Sequence, residues 1–164
     1  MRLGQEIQAL SRRAHERRVA AARLAQVPFT PKAAAIRVVA AVLCDRAGRV
    51  LIAQRPAGRH MAGRWEFPGG KVGDREGERQ ALVRELREEL GIELLQATPF
   101  MRTTHEYDDR TVELSLWRVE RFNGTPQPLD GQQLKWVTPA GLADEDLLEA
   151  DRPFFVALRD LALR

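Results

Sequence analysis

A chain of 164 residues, 44% hydrophobic and 30% charged, has the size and composition of one globular domain with a core of its own. No apolar run approaches the ~20 residues of a membrane span, and the single cysteine, Cys44, excludes an intrachain disulfide framework or thiolate metal site; a reducing cytoplasm fits that usage. The formal net charge of +3 is uneven: residues 1–32 hold seven Lys/Arg and two Glu, and the remaining 132 residues hold 19 and 21, so the high pI is poor evidence for nucleic-acid binding by the domain.

In chain order, residues 1–26 predict a helix. Leu3, Ile7 and Leu10 mark an apolar edge, Ala-rich turns with Arg12, Arg13, Arg17, Arg18 and Arg23 follow, and Pro28 and Pro31 form a linker. Glu6, Glu16 and the lack of a signal-peptide apolar core speak against a targeting leader. Residues 1–32 are therefore expected to be an extra helical element packing on the domain at 33–164 or on a second subunit. Ile36 to Leu43 and Val50 to Ala53 read as strands flanking Asp45-Arg46-Ala47-Gly48, a hairpin turn by composition, with Cys44 as a small apolar strand residue. Trp65-Glu66-Phe67 predicts a short strand before a Gly69-Gly70 loop. Residues 77–90, with good helix formers and no proline, predict a helix. Ile92 to Tyr107 and Val112 to Phe122 predict two long strands about a turn at Asp108-Asp109-Arg110. Gln132 to Val137 predicts another strand, Thr138-Pro139 the opening of a brief helix, and residues 153–163 a closing helix with Phe154, Leu158 and Leu161 on one side. Mixed strands, two principal helices and no internal repeat suggest an α+β domain.

The helix at 77–90 carries the chemistry. Leu82, Leu86 and Leu90, with Val83 beside them, form an apolar stripe. Glu85, Glu88 and Glu89 stand at i, i+3 and i+4, so their carboxylates share one face. Like charges at this spacing cost roughly 0.2–0.5 kcal/mol per pair on an open helix, which a divalent cation would offset. The plainer alternative is a solvated face with Arg84 and Arg87 as ion-pair partners. Oxygen ligands favour a hard ion, and Mg²⁺ typically takes one or two carboxylates with water and substrate phosphates. Two glycines just upstream allow close backbone approach to that face.

Residues 70–92, GKVGDREGERQALVRELREELGI, resemble the Nudix box, GX5EX7REUXEEXGU with U a bulky aliphatic. Gly70, Glu76, Arg84-Glu85-Leu86, Glu88-Glu89 and Gly91-Ile92 fill every fixed position. The stretches LIAQRPAGRHMAGRWEFPGGK, LWRVERF and ADRPFFVAL extend the resemblance over residues 35–163 to the MutT branch. The resemblance implies a mixed sheet sandwiched between helices. It also implies Mg²⁺-dependent cleavage of a nucleoside triphosphate to the monophosphate and pyrophosphate, with Mn²⁺ as a substitute ion and 8-oxo-dGTP sanitising of the nucleotide pool as the leading role. Residue by residue, it implies metal ligation by the Gly69 carbonyl and by Glu85, Glu88 and Glu89. It implies an Arg84–Glu76 ion pair bracing the loop on the helix, and a nucleotide site lined by Arg55, His60, Glu66, Phe67, Pro68, Gly69 and Tyr107.

Two positions depart from the MutT pattern. Asp130 stands where a longer glutamate would approach the metal and the attacking water; its other reading is a turn residue in Leu129-Asp130-Gly131. Glu85 and Asp130 are both candidates for the general base. Asp151 stands where MutT has an asparagine that reads the oxidised guanine. Asparagine donates and accepts, whereas ionised aspartate only accepts; a protonated Asp151 in a dry pocket, or a helix N-cap ahead of Pro153, are the other readings. The alternatives in function are a modified pyrimidine (CTP-type) triphosphate, a dinucleoside polyphosphate hinted at by Tyr107, and a non-catalytic nucleotide-binding module, which an intact box argues against. Duplex binding would rest on the arginine-rich start alone. No membrane partner or stable nucleic-acid partner is expected, and the chain is expected to be a monomer or homodimer.

Overall fold

Strand β1 (Ile36–Val42) sets the layering, because its alternating side chains serve two cores. Val39, Ala41 and, just beyond the strand, Leu43 join Ala81, Leu82, Leu86 and Leu90 in one cluster. Ala40 and Val42 join Leu114, Leu116 and Phe154 in the other. The structure, a computed structural model, describes residues 34–162, so the expected N-terminal helix and linker lie outside the described residues.

β1 pairs antiparallel with β4 (Gly69–Lys71) and parallel with β6 (Thr111–Asn123), which pairs antiparallel with β5 (Glu93–Glu106). This mixed sheet runs β4-β1-β6-β5. A second, antiparallel sheet runs β3-β2-β7, from Trp65–Glu66, Val50–Gln54 and Gln133–Val137. Helix α1 (Glu78–Leu90) packs into the first cluster and α2 (Arg152–Ala162) into the second. The fold is thus α+β, with a mixed sheet between two helices and a smaller sheet beside it.

Four expectations are corrected. The turn at Asp45–Gly48 forms, with the Asp45 N–H donating to the Arg49 carbonyl at 2.9 Å. The strands it joins do not make a hairpin: they meet at the Cys44↔Val50 bridge and part into different sheets, because both edges of β1 are taken by β4 and β6. Cys44, beyond the end of β1, is exposed rather than interior. The Gly69-Gly70 stretch is a strand as well as a loop, held by the Val39↔Gly70 register that no propensity of glycine signals. The brief helix after Pro139 is a 3-10 turn at Gly141–Asp144, and another, Glu149–Asp151, precedes α2.

Both ends of α1 are closed. The Gln80 side-chain oxygen accepts from the Gly77 N–H at 2.9 Å, and Gly91, at φ 67°, supplies a left-handed cap. Among the described residues no helix is long and apolar enough to cross a membrane.

Candidate active site

Pairing of β4 with β1 presses the Gly69-Gly70 backbone against the acidic face of α1. A Cβ on Gly69 would lie 2.1 Å from the Val39 carbonyl oxygen, and one on Gly70 would lie 2.3 Å from the Glu85 carboxyl carbon. Only glycine permits that approach. The Gly69 N–H donates to Glu89 Oε2 at 3.2 Å. Glu85 and Glu89 therefore line one cavity, of about 500 Å³. Glu88 is placed elsewhere: its side chain is 60% exposed and accepts from Arg84 Nη1 at 3.3 Å.

Arg84 organises the loop before the helix. Its Nε and Nη2 each donate to one Glu76 oxygen at 2.9 Å, Nη2 also donates to the Lys71 carbonyl at 3.0 Å, and Nη1 donates to Glu85 Oε1 at 2.7 Å. The Gly73 N–H completes the grip on Glu76 at 3.0 Å. This two-point pair is the strongest geometry available to a carboxylate, and it holds the Glu76 carboxyl down at about 2, with the Arg84 bonds as the main cause and the Gly73 N–H next. The helix start and the β4 end are thereby joined as one rigid corner.

Glu89 stands in the opposite condition. Burial pushes its carboxyl up to about 8; the Gly69 N–H opposes this, while the charges of Glu85, Glu66 and Asp130 add to it. Among the described residues no three His, Cys, Asp or Glu side chains form an ion-binding group by themselves. Mg²⁺ does not need three: it completes one or two carboxylates with water and phosphate oxygens. Glu85, which accepts from Arg84 Nη1 on one side, and Glu89 both line the cavity and fit such an ion.

The far end of the cavity is lined by a different set of side chains. Asp151, at the end of the second 3-10 turn, is 3% exposed and lines the cavity. Burial holds its carboxyl well above the usual range; the Glu66 charge adds to this and Arg55 opposes it. Glu66 is raised to about 7 by burial, against the nearby Arg55 and Arg59. Arg55 Nη1 lies 3.3 Å from Glu66 Oε2, and the buried Arg55 Nε has no hydrogen-bond partner among the described residues. Tyr107 closes the end, with the His105 ring edge-on at 4.5 Å and His60 at 6.4 Å. Phe67 lines the cavity from within the second core, 2% exposed. Pro68 is buried beside a smaller adjoining pocket, and its carbonyl accepts from the Ala41 N–H at 2.8 Å.

Asp130 lies on that smaller pocket with Glu89 and Arg59. Its carboxylate takes a 2.6 Å bond from Arg59 Nη2, and its N–H donates to the Gln132 side chain at 2.8 Å. Gln132 in turn donates to the Glu89 carbonyl at 2.8 Å, fixing the loop to the end of α1. Half-exposed pairs such as Arg59–Asp130 contribute about 0–1 kcal/mol.

The model of the NUDIX domain matches residues 38–157. The chain belongs to the Nudix family. Within it the chain is MutT-like, being 46% identical to the CTP pyrophosphohydrolase of Escherichia coli (strain K12) over 76% of this chain and 93% of that one. It is 35% identical to the 8-oxo-dGTP diphosphatase of the same organism, over 77% and 98%. The solution structure of the E. coli ORF135 protein superposes with a TM-score of 0.68 at 44% identity, covering 77% of this chain and 90% of that chain. Nudix enzymes typically use a divalent metal, in keeping with the Glu85–Glu89 end.

Sequence reasoning missed four residues of this Nudix site. Lys71, Arg59 and Arg110 line the cavity, and Gln132 fixes the Asp130 loop. Lys71 and Arg59 were within reach of the reading, since both lie inside a quoted MutT-like stretch. Gln132 carries no local signal, because its role depends on a carbonyl 43 positions away.

Proposed function

We propose that the chain hydrolyses a damaged or modified nucleoside triphosphate to the monophosphate and pyrophosphate, with an 8-oxo-dGTP-type purine as its leading substrate. The observation that carries the reading is one cavity with two unlike ends: helix carboxylates suited to a phosphate-bound cation, and a buried Asp151, its carboxyl pushed well above the usual range by burial, with Glu66 beside it, suited to a base edge. A neutral carboxylic acid both donates and accepts. Asp151 so protonated offers what the asparagine of the MutT pattern offers. A second reading, a CTP-type pyrimidine, draws on the 46% identical relative of that activity and on the same donor–acceptor pair, which also suits a cytosine edge.

In mechanism, Glu85, Glu89 and the Gly69 carbonyl would hold Mg²⁺, with Glu88 on the exposed side of the helix. Bound there, Mg²⁺ would neutralise phosphate charge and acidify a water. The chain's own groups do the rest. Arg84 and Glu76 keep α1 and β4 in register, so that the helix acids face the phosphates. Arg55, paired with Glu66 and lining the cavity, adds positive charge that offsets that of the nucleotide. His60, Phe67 and Tyr107 wall the nucleotide and exclude water. Glu85 or Asp130 takes the proton of the attacking water, which must be aligned against a phosphorus shielded by negative oxygens.

The test is a panel of normal, oxidised and methylated purine and pyrimidine triphosphates with Mg²⁺, ranked by kcat/KM with pyrophosphate as the measured product. One modified nucleotide should exceed its normal parent by tenfold or more, roughly the discrimination one extra contact supplies. A flat ranking would remove the sanitising role. Release of inorganic phosphate in place of pyrophosphate would remove the reaction.

A further inference from the structure

The cations around the cavity differ in how firmly they are held. Arg84 is engaged within the box, and Arg55 is paired with Glu66 at the base end. Arg59 differs from both. It stands between β2 and β3 with its side chain 54% exposed, and its described ionic contact is the pair with Asp130. It lines the main cavity and the smaller adjoining pocket, as do Glu66 and Glu89. Arg59 thus sits at the junction of the base end and the helix acids, where a polyphosphate running from one to the other has to pass. Its partner is anchored from behind: Gln132 and the Leu129 N–H both bond the Glu89 carbonyl. The carboxylate belongs to a fixed support, and the guanidinium to a long, solvated side chain.

We propose that Arg59 binds the polyphosphate tail of the substrate, and that the substrate takes it from Asp130 by exchanging one anionic partner for another. The proposal rests on the reading of this cavity as a nucleoside triphosphate site. The exchange is chemically easy. Both members of a half-exposed pair are well hydrated when apart, so little is lost on separating them. Phosphate oxygens match the planar guanidinium fork and take two hydrogen bonds from it. A monophosphate, lacking the distal phosphates, leaves the Arg59–Asp130 pair closed. Arg59 therefore selects triphosphate over product, a choice separate from the choice of base.

Two measurements on the full chain test this. In the first, steady-state turnover with Mg²⁺ is compared for wild type, Arg59→Gln and Arg59→Lys, with the product monophosphate as inhibitor. Arg59→Gln should raise KM for the triphosphate about tenfold, as loss of a charged hydrogen bond does, and shift the monophosphate inhibition constant less than about twofold. Arg59→Lys should recover part of the loss. Melting temperatures within about 2–4 °C of wild type would show the fold intact. An unchanged KM, or a parallel change for both ligands, would overturn the assignment. In the second, binding of the triphosphate is measured calorimetrically in EDTA. Asp130→Asn should tighten it about threefold when Arg59 is present and not in the Arg59→Gln/Asp130→Asn chain. An equal gain in both would mean simple removal of a negative charge and would sink the exchange. If wild type binds triphosphate over monophosphate through Arg59 yet releases no pyrophosphate from any nucleotide, the catalytic reading falls and the Arg59 assignment stands.

Discussion

The box corner and the Asp151 end of the cavity treat carboxylates in opposite ways. At the box corner, Glu76 is clasped by Arg84 and the Gly73 N–H and stays ionised far below neutrality. At the Asp151 end of the cavity, burial pushes the Asp151 carboxyl well above its usual range and that of the half-buried Glu66 up to about 7, against Arg55. The same functional group serves as a fixed strut at one end and as a donor–acceptor surface at the other. Glu89, although it stands on the box helix, shares the second condition, with burial pushing its carboxyl up to about 8. On the proposed function, the first region serves the cutting of a phosphoanhydride and the second the choice of substrate.

The separation is broken most severely at the helix. Glu89→Gln should lower Mg²⁺-dependent pyrophosphate release by about 10²-fold or more with the melting temperature held, whatever the base; a fully active variant would cancel the metal assignment. Gly70→Ala comes next. Its methyl group would meet the Glu85 carboxyl carbon at 2.3 Å, and moving a reacting group by that order costs on the order of 10²-fold. Circular dichroism should show the fold retained, and turnover at the wild-type rate would disprove the crowding.

At the base end, the effect should fall on ranking more than on rate. Asp151→Asn keeps a donor and an acceptor and should preserve the order of nucleotides, whereas Asp151→Leu should compress the kcat/KM ratio between best and worst by about 10- to 100-fold. If both substitutions act alike, Asp151 does not read the base. Glu66 gives a smaller, thermodynamic signal. Its carboxyl is raised from 4.5 to about 7 in the folded chain. The folded state therefore binds more protons than the unfolded state in that window. The stabilisation is full below pH 4.5 and is lost as the pH rises through 7, on the order of 1–2 kcal/mol. Denaturant titrations in EDTA should show that slope, and Glu66→Gln should reduce it, leaving the parts of the same sign from Glu89 and Asp151. Deleting residues 1–30 should have the least effect of all, leaving kcat/KM unchanged; loss of turnover in a folded truncation would tie the extension to the site.

Much of this was legible beforehand where the signal is local. The spacing of Leu82, Leu86 and Leu90 marked the buried face of α1, and the alternation on either side of Asp108–Arg110 marked the β5–β6 hairpin. What failed was pairing. Composition around Asp45–Gly48 is that of a hairpin turn, yet β1 takes its partners from positions 69–71 and 111–123, a choice made by burying both of its faces. The site shows the same limit. Helical periodicity placed Glu85, Glu88 and Glu89 on one side, but an arc that wide runs from the cavity to solvent, and the Arg84 side chain draws Glu88 to the outer edge. Arg59 and Gln132 act through partners 71 and 43 positions away; the MutT-like stretch flags the neighbourhood of Arg59, but no local pattern gives either partner.

The absence of a side chain at Gly70 has a consequence for how this site could change over generations. The strand register that seats Gly70 opposite Val39 also presses its bare α-carbon onto Glu85. Any mutation there that added atoms would spare the hydrogen-bonding edge of the sheet while evicting an acid from the cavity. Folding and hydrolysis can thus be uncoupled by a single codon, and a descendant that lost the reaction this way would keep a sound nucleotide-shaped hollow, ready for a life as a sensor.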